Sequence, residues 1–225
     1  MDRKICLGIH GFTGGPFELE PLARHLEGCG YRCVLPTLPG HGDPEKLRRV
    51  RWYDWVEAVD AAAAAIAKRY GSFDLVGFSM GGALAAHVAV RYPVRRLVLL
   101  NAAVIYVSPY RLLQDIGSAL KVGDWNRFVK VHHTPIRATV QFMQLIRSTK
   151  PIWSGIRAPT FIAQSGRDPV VHPYSANVLA HAIPSVVRVE YFPNSKHMIC
   201  LDREADALFA AVESFLTEGG TTDAP

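Results

Sequence analysis

The sequence predicts an α/β fold, a mainly parallel sheet of about six strands with helices on both faces and a small helical cap. Three observations carry this. Apolar, β-branched runs of strand length recur along the chain, and helix-like stretches fall between most of them. One interval, residues 102–158, is also far longer than a single crossover helix requires.

Taken in order, the first strand is expected over residues 5–10, where an apolar run ends at a His-Gly turn. Further strands are expected over 32–35, 73–78, 96–101, 159–164 and 186–192. Helices are expected over 18–27, 52–70, 80–92, 174–181 and 202–216; the alanines from Ala61 to Ala65 suit the second, and Pro173 suits the entry to the fourth. In the long interval, Pro109, Gly117, Gly123 and Pro135 divide the chain into two or three amphipathic helices. The most regular covers 134–147, with Val140, Met143 and Ile146 at helical spacing and Gln141 and Gln144 between them. Residues 1–103 and 151–225 are therefore read as the core and 104–150 as a cap over the carboxyl edge of the sheet. The tail from 218 is read as a frayed end.

Composition sets further bounds. With 225 residues, 49% hydrophobic and 20% charged, the chain can bury a substantial core and is unlike a disordered segment. Its longest apolar stretches, 61–67 and 97–107, fall short of the roughly 18 residues a membrane helix needs, so no transmembrane segment is expected. The apolar run after Lys4 is too short for a secretory signal and lacks a small-residue cleavage site. Four cysteines, none in a CxxC pair, do not make a disulfide framework, and a cytoplasmic location is expected. The formal net charge of +5 resides in the insertion, where residues 104–150 carry seven basic side chains against two acidic. These bases lack interleaved exposed aromatics or a binding motif, as does the run Lys46 to Arg51. A solvated face accounts for both, and no nucleic-acid partner is expected. A monomer or weak homodimer is expected.

The chemistry is concentrated in four turns. Gly77-Phe78-Ser79-Met80-Gly81 follows one strand and opens a helix. A Gly-x-Ser-x-Gly turn in that context strains the serine backbone, and its glycines let strand and helix approach closely, so Ser79 Oγ stands at the tip of the sheet as a nucleophile. The helix aims its positive dipole end at the same point. His10-Gly11-Phe12-Thr13-Gly14-Gly15, directly after the first strand, is where a main-chain donor to an oxyanion belongs, and the N–H groups of Phe12 and Met80 are the expected pair. His10 itself is read as ordering the turn. Asp168, in Gly166-Arg167-Asp168-Pro169, lies just beyond a strand end, where the acid of a triad is held; Asp43 is the reserve candidate. His197, in Asn194-Ser195-Lys196-His197-Met198, follows the last strand and is the expected base. Ser165 and Ser195 lack the flanking glycines and are read as turn hydrogen-bonders. His25, His87 and His181 lie singly on helices, and His132-His133 have no carboxylate at ligand spacing, so no metal site is assigned.

The chain order Ser79, Asp168, His197 is that of the α/β-hydrolases and differs from the chymotrypsin and subtilisin orders. From Ile5 to about Leu216 the sequence resembles that superfamily. Its motifs, together with Leu38-Pro39-Gly40-His41-Gly42, look like those of small bacterial carboxylesterases related to monoacylglycerol lipases. The resemblance implies hydrolysis of short- to medium-chain carboxylic esters, or of monoacylglycerols, through an acyl-enzyme on Ser79, with no cofactor. It also implies that the cap forms part of the acyl pocket. Phe78, Ile105, Leu112, Leu113, Phe142 and Met143 are the expected substrate-binding residues. The resemblance departs at Lys196, where glycine is frequent, and at the start, where the first strand corresponds to the third of the usual eight-stranded sheet. A thioesterase or other acyl or C–C bond hydrolase with an anionic substrate is the alternative that the basic insertion keeps open, and a non-catalytic binding protein is a third.

Overall fold

The computed structural model describes residues 4–105 and 135–218. Six strands, β1 (Lys4–Ile9), β2 (Tyr31–Val34), β3 (Phe73–Phe78), β4 (Val94–Leu100), β5 (Thr160–Ser165) and β6 (Val186–Phe192), form one sheet in the order β2-β1-β3-β4-β5-β6. Every neighbouring pair is parallel. The described helices are α1 (Glu20–Gly28), α2 (Pro44–Leu47), α3 (Trp52–Tyr70), α4 (Met80–Ala89), α5 (Ile136–Thr149), α6 (Ser175–Ala182) and α7 (Ala205–Thr217). None of these is long and apolar enough to cross a membrane.

The inner strands β1, β3, β4 and β5 are mostly apolar because both faces are covered. Leu7, Ile9, Phe73, Leu75, Leu97, Leu99 and Ile162 point into a core shared with α3, α4, α5 and α6. Their alternate neighbours Cys6, Val76, Phe78, Val98, Leu100, Phe161 and Ala163 point into the other, shared with α1 and α7. The edge strand β6 instead alternates, leaving Val187, Val189 and Tyr191 exposed.

Differences from the expected elements have local causes. Helix α4 stops at Ala89, because the amides of Arg91 and Tyr92 both turn back to the Val88 carbonyl ahead of Pro93. Helix α2 was not anticipated: Asp43 caps it, accepting the amides of Glu45 and Lys46, and Pro44 occupies its first position. Asp43 is thereby committed to a cap. On α5 the buried stripe is Ala138, Phe142, Leu145 and Thr149, whereas Val140 is exposed and Met143 and Ile146 are half-buried. The expected stripe is therefore out of phase by about a third of a turn. Gln141, placed between the apolar positions in the sequence, accepts the Trp52 amide at 3.0 Å and satisfies a donor in the first turn of α3. The remainder of the expected cap, residues 106–134, lies outside the described residues.

Candidate active site

The parallel topology gathers the carboxyl ends of β1, β3, β4, β5 and β6 along one edge of the sheet, and the residues singled out in the sequence stand there. Between β3 and α4, Ser79 adopts φ 54° and ψ −116°, a left-handed conformation that L-residues avoid. Three contacts fasten it: the Ser79 amide donates to Leu100 O at 2.9 Å, and the amides of Gly82 and Ala103 donate to Ser79 O. The glycines are required sterically. A Cβ at Gly77 would lie 2.6 Å from Gly81 O, and one at Gly81 would overlap the Ile9 carbonyl.

Three distant segments converge on this serine. Ser79 Oγ lies 3.1 Å from His197 Nε2, and His197 Nδ1 lies 2.8 Å from Asp168 Oδ2. The Asp168 side chain is fully buried; its other oxygen accepts the amides of Val170 at 2.8 Å and Val171 at 2.9 Å, which supply the hydrogen bonds a buried carboxylate needs. The His197 side chain is 16% exposed, so the ring has a route to solvent and its tautomer is set by the carboxylate.

The loop that carries His197 is held by Ser165 and Ser195, the expected turn hydrogen-bonders, and by Asn101, Asp202 and Glu204, which the sequence reading did not single out. Asn101, buried and at φ 44° just beyond β4, donates to His197 O at 2.8 Å and to Ser165 Oγ at 2.9 Å, and accepts the Ser165 amide. Ser165 Oγ in turn donates to Lys196 O at 2.7 Å. Ser195 Oγ donates to Glu204 at 2.6 Å, and the Lys196 amide donates to Asp202 at 2.6 Å. Lys196 takes part through its main chain, so glycine is not needed there.

On the other side, Phe12 is buried with its ring stacked on that of Phe142, centroids 4.9 Å apart. Met80 is the first residue of α4, where a helix amide has no intrahelical acceptor. His10 orders this region: its Nδ1 lies 2.9 Å from Gly11 O and its Nε2 accepts the Leu38 amide at 3.0 Å. Burial holds His10 and its neighbour His41 neutral, each pushed down to about 4, with mutual repulsion adding to the effect at His10.

The residues expected around the substrate are dispersed. Phe78 lies in the layer with α1 and α7, its ring 5.1 Å from His197. Phe142 is fully buried over Phe12, Met143 is half-buried beside the core, and Ile105 is tied to α6 through Ser175 and His172. Leu112 and Leu113 lie outside the described residues. Among the decoys, His25 is not alone: its Nε2 lies 2.7 Å from Glu213, and donor atoms of His25, Cys29 and Glu213 fall within 4.8 Å of one another. Hydrogen bonds from the thiol and the imidazole to the carboxylate account for that cluster.

Known proteins are similar to this chain in sequence and fold. The model of the alpha/beta hydrolase family matches residues 6–211. The chain is 31% identical over 226 residues to a thermostable monoacylglycerol lipase of Bacillus sp. (strain H-257), covering 94% of this chain and 90% of that one. It is 26% identical over 228 residues to a carboxylesterase of Bacillus subtilis (strain 168), covering 95% and 92%. A solved structure from work on LipS and LipT, two metagenome-derived lipolytic enzymes, superposes with a TM-score of 0.81 at 24% identity, covering 96% of this chain and 94% of that one, a likeness of fold. Since the match runs from β1 into the last helix and takes in the serine turn and both loops that meet it, this chain belongs to the alpha/beta hydrolase family.

Proposed function

We propose that this protein is a serine hydrolase of carboxylic esters, acting on short- to medium-chain esters or monoacylglycerols through an acyl-enzyme on Ser79. The observation that carries the proposal is the unbroken relay from Ser79 Oγ to His197 Nε2 at 3.1 Å and from His197 Nδ1 to Asp168 at 2.8 Å, on a serine with a left-handed backbone. The two Bacillus relatives, named as a monoacylglycerol lipase and a carboxylesterase, support ester hydrolysis.

In this mechanism His197 Nε2 accepts the Ser79 proton as Oγ attacks the ester carbonyl. Asp168 keeps the proton-bearing nitrogen of His197 turned toward itself and stabilises the imidazolium. The amides of Phe12 and Met80 receive the charge that develops on the carbonyl oxygen; a donor of this kind is worth about 3 kcal/mol in the transition state. His197 then protonates the departing alcohol, takes a proton from a water that attacks the acyl carbon, and returns that proton to Ser79 Oγ as the acid leaves. Both halves need His197 neutral at the start.

Turnover of p-nitrophenyl butyrate by wild type and Ser79→Ala tests the proposal. The variant should fold normally and lose at least about 10³-fold in kcat. A variant that keeps wild-type turnover would refute the assignment of the nucleophile.

A further inference from the structure

Glu18 is a buried carboxylate that this mechanism does not use. It lies in the short 3₁₀ turn before α1, is 7% exposed, and its Oε2 accepts the Gly11 amide at 2.7 Å. The loop is shaped around it. A Cβ at Gly14 would overlap the carboxylate, and one at Gly11 would come within 3.2 Å of Oε2.

The peptide planes of this loop give the contact its meaning. The N–H expected to face an oxyanion belongs to the Gly11–Phe12 peptide, whose carbonyl is the Gly11 O held by His10 Nδ1 at 2.9 Å. A trans peptide points its N–H opposite its C=O, so this hydrogen bond aims the Phe12 amide away from His10. The preceding plane is held by Glu18 through the Gly11 amide. Gly11, the hinge between the two planes, has no Cβ to resist their rotation, so neither is fixed by local sterics alone.

Resting on the esterase reading above, we propose that Glu18 is a positioning residue that locks the Gly11 peptide and thereby orients the Phe12 amide toward the oxyanion. The titratable groups facing it are His197, from the loop after β6, and Cys200, from the 3₁₀ turn that follows. Burial pushes the carboxyl up to about 7, against the opposing pull of the Gly11 amide, so it ionises near neutrality.

Two variants separate the acceptor from the charge: Glu18→Gln keeps an acceptor for the Gly11 amide without the charge, and Glu18→Met keeps the volume without either. With p-nitrophenyl butyrate, Glu18→Met should lower kcat about 10- to 100-fold with KM within twofold, as expected of a displaced transition-state donor. The second-order rate of Ser79 labelling by a fluorophosphonate should fall in step, because that reaction uses the same amides without an ester. Glu18→Gln should restore kcat and the labelling rate to within threefold of wild type. Wild-type kcat and labelling in Glu18→Met, or a loss seen only in its thermal stability, would overturn the proposal. If Glu18→Met does not fold, Glu18→Ala decides: a labelling rate at least tenfold below wild type supports the proposal and a wild-type rate overturns it. If wild type labels at Ser79 yet hydrolyses no ester, the substrate assignment fails, while the labelling rates still decide the role of Glu18.

Discussion

Ser79 holds a backbone conformation costing about 1–3 kcal/mol, and the surrounding contacts must supply that amount. They come from the amides of Gly82 and Ala103 and from the Leu100 carbonyl. The neutral histidines and the buried Glu18 beside it make stability depend on pH in opposite senses. His10 and His41 sit near 4 in the folded chain against an ordinary 6.5, so between those values the unfolded chain binds more protons, and stability falls as pH drops. Glu18 sits near 7 against an ordinary 4.5, so in that window the folded chain binds the extra proton, and stability falls as pH rises. Urea unfolding of wild type and Glu18→Gln from pH 4.5 to 7.5 should show the variant gaining roughly 3 kcal/mol relative to wild type across that range. Parallel curves would place the carboxyl at an ordinary value. Of these residues, Ser79, Asp168 and His197 were legible in the sequence because each sits in a turn chemistry with a recognisable position after a strand. Glu18 and Asn101 were not. A glutamate at a helix entry reads as solvated, and the partners of Asn101 lie 64 and 96 positions along the chain.

At the scale of elements, helix α4 and strand β3 carry the site because small residues allow them to meet, with Gly77, Gly81 and Gly82 all lacking room for a side chain. Strand and helix types followed from apolar spacing, and the ends of β3, β6 and α3 coincided with the expected ones. The phase of α5 did not follow. Val140, Met143 and Ile146 and the observed stripe of Ala138, Phe142 and Leu145 both satisfy helical spacing, and only the packing of α5 on α3 and α4 chooses between them. That packing puts Phe142 on Phe12 and Gln141 on the first turn of α3. Gln141→Ala should therefore cost about 1 kcal/mol of unfolding free energy in urea, the usual effect of removing a side-chain cap. An unchanged midpoint would mean that water replaces the contact without loss.

At the scale of the whole molecule, the two edges of the sheet have different tasks. Away from the carboxyl edge, toward the start of β3, buried Asp74 pairs with Arg95, which also reaches Tyr31 and the Leu216 carbonyl and so ties β4 to the end of α7. The carboxyl edge collects Ser79, Asp168 and His197 from segments that only a parallel topology of this order brings together. The central claim is that this assembly makes one hydroxyl nucleophilic. The most direct measurement is mass spectrometry of the protein after exposure to a fluorophosphonate probe, comparing wild type with His197→Ala. Wild type should carry a single adduct on Ser79, and labelling of the variant should be slowed by at least about 10³-fold. An adduct elsewhere, or equal labelling without His197, would contradict that claim.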